Sequence, residues 1–260
     1  MTEELRYVLM DPSGNRTILV ESPVPVAEQA AVAERLLALD PQAEQVGFLT
    51  RFDASGIALR MAGGEFCGNA TMSAAVYYAL QTGRTGGTVP VEISGAPEPL
   101  DVEIAHATDG LWRGKVAMPG PVSMDLVTFP EGQKHPAVFF QGIAHVLLFS
   151  PMERSAAEEA VISWCSFLQT EALGLMFLDL EQERLTPLVY VPGVNSLYWE
   201  NACGSGTSAI GAWLAAEKEM PVHLALRQPG GTLEVDADPS GSIFLQGTVV
   251  YCYEKTVRLI

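Results

Sequence analysis

The chain is poor in cationic side chains. Its 260 residues carry 15 Lys and Arg against 31 Asp and Glu, a formal net charge of -16. Affinity for nucleic acid rests mainly on Lys and Arg, and anionic membrane surfaces attract the same residues. Neither is an expected partner. Cysteine is scarce too, with only Cys67, Cys165, Cys203 and Cys252. That is too few for a disulfide scaffold. No CxxC spacing is present, and His106, His135, His145 and His223 are scattered, so no metal site is expected. No apolar run reaches the roughly 18 residues that suggest a membrane span. The opening MTEELRYVLM has no basic segment leading into an apolar one, and the expected location is the cytoplasm. Lys115, Lys134, Lys218 and Lys255 sit in no recognisable cofactor site, and no cofactor is expected.

Apolar residues, by contrast, are abundant. They make up 48% of the chain while charged residues make up 18%, enough for one large core or two ordinary ones. Short strand-like runs alternate with helical ones. LRYVLM and RTILV flank the turn cluster DPSGN as a hairpin. AEQAAVAERLLAL (27–39) has helical periodicity. Helices are also expected at about 68–81, 153–168 and 204–216, with strands between them and at VHLALRQ, TLEVDA and SIFLQGTVVYCY. The two prolines of MPGPVS (118–123) mark a boundary. The expected domains are 1–119 and 120–260, with the last strand crossing back to the first domain.

The halves resemble each other. GGEFCGNATMSAA and ENACGSGTSAIGAW each place Cys-Gly at the mouth of a helix, about half a chain apart. A strand ending in glycine follows each (VEISG, LRQPGG), and then strand, turn and strand, with Gly114 matching Gly247. This degenerate repeat predicts an α/β (α+β) fold of two similar domains. Each is expected to be a curved, mostly antiparallel sheet wrapped around a long central helix.

The chemistry follows from the repeated motif. A helix N-terminus offers about four unpaired N–H groups and a partial positive charge. A cysteine there can have a lowered pKa, and an adjacent glycine admits a ligand close to the backbone. Two such helices facing each other would grip one carboxylate and set a thiol on either side of the carbon attached to it. One thiolate and one thiol could then move a proton off one face and onto the other, which is racemisation of an α-amino acid. A cofactor-free route needs exclusion of water and N–H donors aimed at the developing carbanion. Cys165, in ISWCSFL, and Cys252, in VVYCY, read instead as small buried hydrophobes.

PSGNRTILV, EQVGFL, GGEFCGNATMS, WENACGSGTSAIG and QPGG resemble the diaminopimelate epimerase superfamily. Within it they are most similar to the cofactor-independent histidine racemases of opine-type, staphylopine-like metallophore pathways. The likeness spans essentially the whole chain. It implies a two-domain fold with a closed active site between the domains, in which Cys67 and Cys203 are the acid/base pair. It also implies that the amides of Gly68, Asn69, Gly204 and Ser205 hold the α-carboxylate of an amino acid, and that Asn15 and Gln45 line the pocket. A homodimer is compatible with the family. Glu44, beside Gln45, offers a carboxylate for an imidazole N–H, or else is a solvated charge at a strand end.

The departures narrow the substrate. Diaminopimelate epimerases carry Glu-Arg-Gly before the second cysteine, whereas VPGVNSLYWENAC has no arginine. Their Gly-Asn-Pro-His becomes GIAH, with Ile143 for the asparagine. A second substrate carboxylate would be buried unpaired, which weighs against diaminopimelate as substrate. Proline-type relatives read CGHG where this chain reads CGNA. The alternatives are a racemase or epimerase of the same fold with a different or broader substrate, of diaminopimelate or proline type, and a non-catalytic binding relative, against which the retention of both cysteines argues. A thiol–disulfide role is not supported without a CxxC. Glu65 and Glu200 precede the two cysteines and either orient a thiol or lie at the rim. His145 reads as a base or as a structural histidine. Tyr198 and Trp199 read as packing residues at the domain interface.

Overall fold

A computed structural model describes residues 4–194 and 196–258. Two compact units emerge, Met1–Ala117 with Gln246–Ile260, and Met118–Leu245. Residues from Gln246 onward group with the first unit. Among the described residues, no helix is long and apolar enough to cross a membrane.

In the first unit the elements run β1 (Glu4–Pro12), β2 (Thr17–Val20), α1 (Val26–Leu39), β3 (Gln45–Asp53), β4 (Gly56–Met61), α2 (Gly68–Thr82), β5 (Gly86–Ile93), β6 (Leu100–His106) and β7 (Trp112–Ala117). Neighbours in this list pair in sequence order, and β1 also pairs with the chain's final strand. The ring of strands therefore closes around α2. That helix is buried along Gly68–Ala79, as expected of a helix without a polar face. Its alanines and Ser73 let the strands approach closely. Gly114 of β7 lies against Met72, where a Cβ would sit 2.9 Å from the methionine side chain. Gly83, with φ of 71°, ends the helix. The amphipathic α1 covers the sheet with Ala33 and Leu36 against Tyr7, Leu9, Ile18, Val46 and Phe48.

The second unit holds β8 (Ser123–Thr128), β9 (Lys134–Phe140), β10 (Ile143–Leu148), α3 (Arg154–Leu168), β11 (Leu173–Asp179), β12 (Arg184–Val191), a 3-10 turn (Pro192–Val194), β13 (Ser196–Trp199), α4 (Gly204–Lys218), β14 (Val222–Gln228) and β15 (Gly231–Ala237). The last strand, β16 (Ile243–Arg258), starts here and ends in the first unit. The sheet order is β8-β9-β10-β11-β12-β14-β15, with β13 on β12. Trp164 and Cys165 of α3 pack on Phe129, Leu173 and Leu188, while Ile210 and Leu214 of α4 pack on Leu147, Met176 and Leu226.

The units repeat one topology. The pairs β2–β3 and β4–β5 are parallel, and so are β10–β11 and β12–β14. The intervening pairs are antiparallel in both. The sequence missed β8 and β13.

Candidate active site

In the first unit, the short loop between β4 and α2 delivers Cys67 as the helix N-cap. Its backbone is extended, with φ of -142° and ψ of 110°. The Ala70 N–H points at Cys67 Sγ from 3.4 Å, and Thr71 Oγ1 donates to the Cys67 carbonyl at 2.7 Å. The amides of Gly68 and Asn69 lie ahead of the helix's own ladder, whose first bond is Thr71 N–H to Cys67 O.

The β1–β2 turn brings a second group of side chains to this cysteine. Ser13 and Gly14 take positive φ (54° and 100°), and Asp11 accepts from the Gly14 N–H. This turn delivers buried Asn15 to the start of β2. Parallel pairing sets Thr17 opposite Gln45 at the start of β3. The Cys67 thiol donates to Gln45 Oε1 at 3.3 Å, and Gln45 Nε2 donates to Asn15 Oδ1 and, at 2.8 Å, to Thr17 Oγ1. Asn69 Nδ2 also donates to Asn15 Oδ1, at 3.2 Å, and Asn15 Nδ2 donates to Glu44 Oε2 at 2.6 Å. A carboxylate only accepts. Glu44 therefore sets the direction of the whole chain, and each amide in turn presents its donor toward Glu44 and its acceptor toward Cys67. The chain ends with the thiol as donor.

The second unit repeats the backbone and changes the side chains. Cys203 is the N-cap of α4, with φ of -109° and ψ of 106°. The Gly206 N–H points at its sulfur from 3.3 Å, and Thr207 Oγ1 donates to its carbonyl at 2.7 Å. Gln228, from QPGG at the end of β14, accepts from the Cys203 N–H and donates to Thr207 Oγ1, each at 2.8 Å. Burial pushes the Cys203 thiol well up, and the hydrogen-bonded Glu200 carboxylate pushes it further. Gly206 N–H and Ser205, whose Oγ lies 3.6 Å from the sulfur, pull the other way. Cys203 thus rests as a thiol near neutral pH.

His145, on β10, is fully buried, with Nε2 2.9 Å from Ser205 Oγ. Burial holds its pKa down to about 3. A neutral imidazole this weakly basic does not serve as a base near neutral pH, so the reading of His145 as a base is set aside.

Two clusters of sequence-predicted residues thus form, each within its own unit: Asn15, Glu44, Gln45, Cys67, Gly68 and Asn69 in one, Cys203, Gly204 and Ser205 in the other. Glu200 hydrogen-bonds the Cys203 thiol, whereas Glu65 is exposed. Cys165 is buried as expected, but Cys252 on β16 is only partly buried. Trp199 stacks on Phe177 and donates to Glu158 within its own unit, and Tyr198 is exposed. The sequence reading missed Thr17, Thr71, Thr207 and Gln228. A signal for two of them was present, because CGNAT and CGSGT share C-G-x-x-T, and the threonine one turn on bonds the cysteine carbonyl in both.

The chain is similar to known proteins over most of its length. The family described as "Histidine racemase CntK N-terminal domain" matches residues 4–249. A histidine racemase of Fusobacterium nucleatum subsp. nucleatum is 32% identical over 270 residues, covering 98% of this chain and 97% of that one. A histidine racemase of Staphylococcus aureus is 31% identical over 251 residues, covering 89% and 88%. Among solved structures, a Bacillus anthracis phenazine biosynthesis protein of the PhzF family superposes with a TM-score of 0.71 at 15% identity, covering 99% of this chain and 100% of that one. At that identity the likeness speaks to the fold alone.

Proposed function

The chain belongs to the histidine racemase family, and from that premise we propose that it interconverts L- and D-histidine without a cofactor, using Cys67 and Cys203 as the proton-transfer pair. The observation that carries the reading is the repeated cysteine N-cap. Each sulfur faces the N–H three residues on, and each is further bonded by side chains suited to controlling a proton: Gln45 at Cys67, Glu200 and Ser205 at Cys203.

The substrate α-carboxylate is held by the amides of Gly68, Asn69, Gly204 and Ser205, where helix ends favour an anion. A thiolate takes the Cα proton and becomes a thiol. The electron pair left on Cα spreads into the carboxylate, whose oxygens the amides stabilise. The other thiol delivers its proton to the opposite face of Cα and becomes the thiolate. Burial and Glu200 keep the proton on Cys203 at rest, so in the direction in which Cys203 donates, Cys67 first releases to solvent the proton it shares with Gln45. Glu44 receives the imidazole N–H, and its bond from Asn15 fixes the carboxylate's orientation. The four free thiols support a reducing compartment such as the cytoplasm. Supply of D-histidine to an opine-type metallophore route rests on family resemblance.

The test is exchange of the histidine α-proton with solvent deuterium, with no cofactor or metal added. Both enantiomers should exchange, and Cys67→Ser and Cys203→Ser should each cut interconversion by about 100-fold or more, at the lower end of what a positioned acid or base contributes. Exchange of another amino acid in place of histidine would refute the substrate. Full racemisation by both cysteine variants would refute the mechanism.

A further inference from the structure

We propose that His145 is a positioning residue for Cys203 and acts through Ser205: its Nε2–H donates to Ser205 Oγ and so aims the serine hydroxyl proton at the Cys203 thiolate. The inference rests on the catalytic role given to Cys203 above and adds to it a device for stabilising the thiolate.

Proton counting carries the argument. A neutral imidazole has one N–H and one lone pair. His145 is fully buried, and among the described residues its Nδ1 has no hydrogen-bond partner. Its Nε2 meets Ser205 Oγ at 2.9 Å. Were the proton on Nδ1, a donor would be orphaned in the core, which native proteins avoid more strictly than an orphaned acceptor. Ser205 would then spend its only proton on Nε2 and have none for the sulfur. With the proton on Nε2, the bare Nδ1 faces backbone, the serine accepts from the histidine, and the serine proton is free to turn to Cys203 Sγ, 3.6 Å from Oγ.

The space around the ring is shaped for it. His145 on β10 pairs with Gly174 on β11, and a Cβ at Gly174 would stand 2.4 Å from His145 Nδ1. Any larger residue would push the imidazole off its place. Phe140 presents an edge-to-face contact with the ring, centroids 6.1 Å apart. Within this unit the titratable group against Cys203 is Glu200. As a thiol, Cys203 donates to Glu200. As a thiolate, it accepts from Gly206 N–H and from Ser205. Deprotonation therefore gives up the bond to Glu200 and leaves the sulfur with the Gly206 N–H and the Ser205 hydroxyl as its donors.

Two measurements test the proposal. Nitrogen-15 NMR of histidine-labelled protein should show His145 as the Nε2–H tautomer across neutral pH, and the Nδ1–H tautomer would overturn it. The second is iodoacetamide labelling of Cys203 against pH, mapped by mass spectrometry in a Cys67→Ser background. Ser205→Ala should move the midpoint up by about one unit, a tenfold loss of thiolate at a given pH. His145→Phe should move it the same way when Ser205 is present and not further in Ser205→Ala. A His145→Phe shift that persists without Ser205, or no shift in either variant, would overturn the relay. If His145→Phe does not fold, the tautomer in the unsubstituted protein decides. Labelling does not depend on turnover, so failure of the two-cysteine mechanism would show separately, as racemisation retained by Cys203→Ser.

Discussion

Asp40 offers a stringent quantitative test of the first unit. It follows α1, is 2% exposed, and accepts from Tyr7 OH at 2.8 Å, Tyr253 OH at 2.6 Å and Lys255 Nζ at 3.0 Å. These donors come from β1 and β16, so one carboxylate ties the helix end to two paired strands. In Asp40→Asn the amide replaces one acceptor with a donor that faces a hydroxyl or the ammonium. Tyr7 is 1% exposed and cannot turn to water. Leaving such a group unsatisfied costs about 1–3 kcal/mol. Lys255 is 45% exposed, and its share is about 0–1 kcal/mol. The expected loss is about 3 kcal/mol, or roughly 6–12 °C in Tm at 2–4 °C per kcal/mol. Burial raises the Asp40 pKa, but the bonds from Tyr253, Tyr7 and Lys255 outweigh it and leave the group below its ordinary value. A carboxyl depressed in the folded state stabilises above its unfolded pKa of about 3.9, and that contribution is lost as pH falls through the folded value. Urea unfolding of both proteins should thus show a constant gap from about pH 5 to 8 that shrinks in more acidic solution. A gap under about 0.5 kcal/mol at neutral pH, within the range of an ordinary surface change, would refute the reasoning, as would a gap that widens on acidification.

Two other substitutions probe the second cysteine. Glu200→Gln removes a carboxylate that raises the Cys203 thiol, so the labelling midpoint of Cys203 should fall, opposite to the shift from Ser205→Ala; a rise would contradict the assigned geometry. Gly206→Ala places a Cβ 2.1 Å from Met176 Sδ and 3.2 Å from Cys203 Sγ. Overpacking of this kind costs about 1–3 kcal/mol, and histidine turnover should fall more than urea stability does; unchanged kcat/KM would show that the sulfur tolerates displacement.

The parts of this protein legible in the sequence were those carried by local pattern. Cys-Gly followed by a run of small residues specifies an N-capped helix that can be buried on all sides, and the chain contains it twice. Strand β8 was not legible because nearly all of SMDLVT is exposed; it is a strand through its pairing with β9, not through alternation of apolar residues. Strand β13 likewise owes its state to β12. The companions of the thiols were only partly legible. Glu65 and Glu200 both precede a cysteine closely, yet one is exposed and the other bonds a thiol, a difference set by how each loop arrives. The fit of His145 to Gly174 depends on the register of two parallel strands joined through α3, and no short-range pattern encodes that register.

The repeat and the differences laid over it answer separate chemical needs. Inverting a stereocentre takes a proton carrier for each face, and two copies of one topology supply two sulfurs held in the same way. Each is capped by the N–H three residues on, and each has its carbonyl fixed by a threonine one turn further. Identical surroundings would leave both sulfurs equally protonated, whereas transfer needs one to give and one to take. The side chains around the two sulfurs differ. Cys67 ends a chain of neutral amides whose direction is imposed from Glu44, the residue proposed to meet the substrate's imidazole. Cys203 lies against a carboxylate and a serine anchored by a buried imidazole. Under the proposed mechanism, the carboxylate proposed to meet the imidazole is connected by hydrogen bonds to one sulfur, and the proposed thiolate stabilisation lies at the other.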